Sequence, residues 1–151
     1  MWWLDLDGAV HPFARESFTS IQQPSKRVWL TVEDDPLVLL DEAFRHLEAV
    51  AIEFPQFTDG RPFSMATLLR ARGWDGPLFA VGHFLLDQLD YLRRCGFTGF
   101  APDPGRYSRE ALEELGRRLL RVFSHPYQAS AGLPTPLWLR VARGGPVAEP
   151  R

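Results

Sequence analysis

One repeated pairing constrains the fold more than any other feature of the sequence. A short apolar run rich in β-branched residues is followed by a stretch with helical spacing, and this happens four times. The runs lie at residues 28–32, 49–54, 77–81 and 97–101, each of strand length and bounded by turn residues. Between them, residues 36–47 place Leu37, Leu40, Phe44 and Leu47 three and four apart. Asp34-Asp35-Pro36 supplies a cap and an N1 proline for that stretch. Residues 63–72 form a second helical stretch stopped by Gly73. Residues 84–95 form a third, with Leu85, Leu89 and Leu92 as its apolar stripe and Gly96 as its stop. Ser108 caps a fourth, whose apolar face is Leu112, Leu115, Leu119 and Val122. Such alternation predicts an α/β domain of about four βα units, with a mostly parallel sheet and right-handed crossovers. Strand starts recur at intervals of roughly 20–28 residues, one crossover each. Four such units make either an open sheet or half of a (βα) barrel that completes itself by pairing.

The two ends read differently. Residues 1–25 are expected to form an N-terminal arm with a short strand near residues 3–6. Its adjacent Trp2 and Trp3 should pack on the domain or on a partner, because two exposed indoles are costly in water. Residues 26–128 are the single α/β domain, and 129–151 a Pro/Gly-rich tail with a strand at 137–141. A chain of 151 residues supports one core. Its 17 basic and 19 acidic residues nearly balance, which argues against a nucleic-acid or anionic-membrane surface. The single cysteine, Cys95, forms no internal disulfide and no Cys-x-x-Cys pair, and fits a reducing, cytoplasmic setting. Met1-Trp2-Trp3-Leu4-Asp5 lacks the basic and sustained apolar regions of a signal peptide or spanning helix.

Parallel sheets gather their chemistry at strand carboxyl ends. Here those positions hold Glu53, Thr58, Asp59, Gly60 and Arg61 after the second strand, His83 after the third and Asp103 after the fourth. The third helical stretch adds Asp87, Gln88, Arg94 and Cys95. Glu53 is either an acid with a raised pKa or the ion-pair partner of Arg61 or Arg70. Arg61 either grips an oxyanion through two parallel hydrogen bonds or forms a salt bridge to Asp59. Thr58 and Asp59 also suit a helix cap, and His83 is a proton shuttle or simply exposed. His11, His46, His83 and His125 lack metal-ligand spacing, so no metal site is expected. Cys95 ends a helix, where the dipole disfavours a thiolate, and is expected to be a packed thiol. No Gly-x-Gly-x-x-Gly or phosphate loop occurs.

The strings FPQFTDGRPFS (54–64), LLR (68–70), VG (81–82), DQL (87–89), RRCGF (93–97) and YQAS (127–130) resemble a bacterial family, domain of unknown function 934. The resemblance spans residues 28–130. It implies a role in assimilatory sulfur metabolism, where the family is described as a probable oxidoreductase involved in sulfite reduction. The implied partner is the sulfite reductase hemoprotein subunit. From the resemblance together with the positions at the strand ends, Glu53, Asp59 and Arg61 stand as catalytic candidates and Thr58, Gly60, His83, Gln88, Arg94, Tyr127 and Gln128 as ligand-binding candidates. The chain departs from the family's usual charges at Pro77, Phe79 and His83, and near Thr67. The cofactor stays open: no flavin, nicotinamide, siroheme or iron–sulfur motif is present, and electron transfer needs a cofactor. Three functions follow as expectations. The first is an accessory protein docking on the reductase. The second is a small oxyanion-binding enzyme using Arg61 and Arg94, with Glu53 or Asp59 as acid/base. The third is a homodimerising half-barrel without ligand.

Overall fold

The computed structural model describes residues 1–122. Four parallel strands form its centre: β4 (Arg27–Leu30), β5 (Ala49–Phe54), β6 (Leu78–Gly82) and β7 (Gly99–Pro102). They pair in chain order, with Ile52 opposite Leu30 on one side and Ala80 on the other. Residues 1–20 add β1 (Trp2–Asp5), β2 (Val10–Pro12) and β3 (Thr19–Ser20) to the same sheet. The order is β2-β1-β7-β6-β5-β4-β3, an open α/β sheet of seven strands, antiparallel only at the β2-β1-β7 edge. The segment expected as an arm is therefore part of the sheet. Leu4 pairs with Phe100, a partner far away in sequence that no local pattern reveals.

Consecutive parallel strands with right-handed crossovers put every connection on one face. That face carries the main core, where Val28, Leu30, Val50, Ile52, Phe54 and Phe100 meet helices α1 (Arg61–Ala71), α2 (Leu89–Cys95) and α3 (Arg109–Val122). The opposite face is smaller and aromatic. Phe13 and Phe18, stacked at 5.4 Å, cover Trp29, Ala51, Phe79 and Ala101 there, and Trp3 packs edge-on against Phe79. Both faces being covered, β5 is a nearly continuous apolar run rather than an alternating one.

Three helical expectations change. Residues 36–47 form two 3₁₀ turns, Pro36–Leu40 and Glu42–Phe44, instead of one α-helix. Asp35 caps the first by accepting the Leu37 N–H, but Asp41 is extended (φ −72, ψ 158) and ends it. With three residues per turn, Pro36 and Leu39 face inward and Leu40 is left exposed. Residues 84–95 divide into a 3₁₀ turn, Leu86–Gln88, and α2, and Leu86 rather than Leu85 is buried. On α3, Leu112, Gly116 and Leu120 face the core and Leu115 is exposed. Gly116 is what lets the helix approach so closely, since a Cβ there would lie 2.3 Å from the Leu4 side chain. Ser108 accepts the Ala111 N–H at 3.1 Å, the expected cap.

Candidate functional site

The carboxyl ends of β5, β6 and β7 are joined into one rim. The His83 N–H donates to the Phe54 carbonyl at 2.9 Å, and the Asp103 N–H to that of Gly82 at 2.8 Å. Gly82 holds φ +104, and a Cβ there would sit 2.8 Å from the Phe54 carbonyl oxygen, so the close approach of β6 to β5 requires glycine. The side chains of Gln88 and Tyr107 stitch the loops above. Gln88 accepts the Leu85 N–H at 2.8 Å and donates to the Phe57 carbonyl at 3.2 Å, thirty-one residues away in sequence. The Tyr107 hydroxyl accepts the Leu86 N–H at 3.1 Å.

Asp59 and Arg61 form a closed unit at the start of α1. The Asp59 carboxylate is buried and accepts the Arg61 backbone N–H (2.9 Å), Nε (3.1 Å) and Nη2 (2.7 Å). Arg61 Nη1 reaches Glu33 Oε1 at 3.2 Å, tying the loop after β4 to the loop after β5. The Arg61 side-chain hydrogen bonds hold the Asp59 carboxyl below its usual range, and the same contact raises Arg61. A helix amino terminus with an arginine fork is an anion site. Here its anion is the protein's own carboxylate. Of the two sequence readings of Arg61, the structure forms the salt bridge.

Glu53 pairs with neither expected arginine. It accepts the Trp29 indole N–H at 2.9 Å on the smaller face of the sheet, while Arg61 is engaged with Asp59 and Glu33. Arg70 instead donates twice to the Gly96 carbonyl, at 3.0 and 2.7 Å, and once to Trp74 O at 2.9 Å, which pins the end of α1 to the end of α2. Arg94 pairs with Asp90 at 2.9 Å along α2. His83 is exposed. Cys95 is buried, and burial pushes its thiol up, partly offset by hydrogen bonds with Thr67 and Tyr91. A protonated buried thiol is a packing group, as its position in the sequence implied. Phe79 is the centre of the aromatic cluster of Trp3, Phe13 and Phe18. Tyr127 and Gln128, the 129–151 tail, its strand at 137–141 and His125 lie outside the described residues. Among the described residues, no group of three metal-ligating side chains comes together, and no helix is long and apolar enough to cross a membrane.

Four of the candidates, Thr58, Asp59, Gly60 and Gln88, line one open cleft of about 590 Å³ between α1 and α2. Its walls are rings: Phe63 and Tyr91 stack at 4.6 Å, and Phe57 stands at the mouth. Phe57 is 45% and Tyr91 51% exposed, unusual for side chains of this size. Sequence reading passed over the rings and the hydroxyls of Ser64 and Thr67. Helical spacing offered a signal, because Phe63, Ser64, Thr67, Leu68 and Ala71 recur at intervals that share one face of α1.

A family model described as "Bacterial protein of unknown function (DUF934)" matches residues 27–138. No curated protein and no solved structure matches the chain.

Proposed function

The chain belongs to this bacterial family of unknown function, DUF934, and from that membership we propose that it is an accessory protein of assimilatory sulfite reduction that binds the sulfite reductase hemoprotein subunit. One observation carries this reading. The strings behind the family resemblance, Phe57-Thr58-Asp59-Gly60 and Gln88, are distant in sequence yet line a single cleft in which the Phe57 and Tyr91 rings are exposed. Exposed aromatic side chains in a concave surface are a hallmark of protein docking sites.

The oxyanion-enzyme reading draws less support. An incoming sulfite or sulfate would compete with Asp59 for the Arg61 guanidinium, one anion against another, against side-chain hydrogen bonds of 3.1 and 2.7 Å. The test is co-purification. Tagged protein, mixed with the hemoprotein subunit and washed in mild salt, is expected to retain it in near-equal amounts. Absence of retention across repeated preparations would overturn the proposal.

A further inference from the structure

We infer that the cleft between α1 and α2 takes an uncharged, aromatic side chain from a partner protein as its anchor. This rests on the cleft being the docking surface and specifies what enters it. Charge selects the chemistry. Asp59 is the one charged residue lining the cleft among the described residues, and its carboxylate is consumed by Arg61. Arg61 also meets Glu33, so the ion pairing at that end is internal. Arg94, whose guanidinium stands over the Tyr91 ring, is paired with Asp90. A charged anchor would leave water and find no opposite charge waiting for it, whereas an apolar one loses nothing on entry.

Ring geometry favours an aromatic over an aliphatic anchor. Phe63 and Tyr91 already stack at 4.6 Å with an interplanar angle of 22°, the Arg94 guanidinium stands over the Tyr91 ring at 5.8 Å, and the exposed Phe57 ring and the Tyr91 edge are left for a guest ring. Polar groups at the walls, the Ser64 and Thr67 hydroxyls, are neutral. Gln88 is committed on both its amide atoms, to Leu85 and Phe57, so it holds the wall instead of reading the guest. Binding through such a cleft is insensitive to salt, unlike docking driven by charged patches.

The test uses the full chain and a neutral probe, N-acetyl-phenylalanine amide, followed by amide chemical shifts. Millimolar probe is expected to shift the Phe57, Ser64, Thr67, Gln88 and Tyr91 amides, equally at about 50 mM and about 500 mM salt. The lysine and aspartate analogues are expected to leave them in place. Tyr91→Ser, at an exposed position, is expected to abolish the shifts. Ser64→Glu, also exposed, serves as a second variant and should do the same by adding a charge. No shifts, shifts scattered over the surface, or equal shifts from the charged analogues would overturn the inference. The probe experiment contains no reductase, so it stands or falls independently of the pathway. Probe binding without reductase retention would keep the cleft's chemistry and remove the partner, while retention without probe binding would place the partner elsewhere.

Discussion

Asp59 and Tyr91 line the same cleft and meet water in opposite ways. The Asp59 carboxylate is buried, accepts hydrogen bonds from one arginine through its backbone and its guanidinium, and fixes the loop that opens α1. Tyr91 is half-exposed, its ring stacked on Phe63 with the Arg94 guanidinium 5.8 Å from its centroid and its hydroxyl hydrogen-bonded to Cys95. The contrast shows where binding capacity remains. Asp59 and Arg61, which look most like chemistry in the sequence, are spent on holding the site's shape, and what the cleft leaves exposed is chiefly aromatic.

The contrast can be broken from underneath. Phe54 is fully buried and touches Phe63, Phe84 and Phe97, so it supports both the loop and the aromatic wall. Phe54→Ala is expected to cost about 3–5 kcal/mol in urea unfolding and to abolish partner binding with it. Gly82→Ala forces a positive φ and a backbone contact at the rim, at about 1–3 kcal/mol. Next comes the fork itself. Because the folded pKa of Asp59 lies below its unfolded value, the unfolded chain takes up the proton first. The stability supplied by the fork is therefore complete above the ordinary aspartate value of about 4 and is lost as pH falls through the lower folded value. Asp59→Asn is expected to lower the urea midpoint at neutral pH and flatten the acid limb of a stability–pH profile. An unchanged limb would show that the fork contributes nothing. Tyr91→Ser is expected to change stability by about 1 kcal/mol or less, as befits a half-exposed ring. Smallest of all is the effect of sulfate: at millimolar concentration the wild-type melting temperature should not move, because Arg61 already holds an anion.

Much of the fold was legible in the chain because its strands are apolar runs fully buried on two faces. Residues 49–54 read as a strand from composition alone, and so they are. At the edge only the strand near residues 3–6 was legible, and it is β1, Trp2–Asp5; β2 and β3, three and two residues long, were not, and the edge owes its stability to pairing across the sheet, as between Leu4 and Phe100. The failed helix at 36–47 has a local cause. Its leucine spacing fits an α-helix, but the extended Asp41 divides it, and spacing alone does not distinguish a period of 3.6 from one of three over two short turns. At the site, Asp59 and Arg61 are two residues apart, so their pairing was among the readable alternatives. Gln88 joining Phe57, and Trp29 taking Glu53, depend on strand order and could not be read from either segment.

The most direct measurement compares retention of the sulfite reductase hemoprotein subunit by folded Tyr91→Ser and folded Asp59→Asn, each against wild type in mild salt. The expected result is a loss of about tenfold or more for Tyr91→Ser, corresponding to about 1.4 kcal/mol of binding, with Asp59→Asn close to wild type. Undiminished retention by Tyr91→Ser, with the loss falling on Asp59→Asn instead, would contradict the assignment of the aromatic wall as the binding surface and return the function to the charged fork.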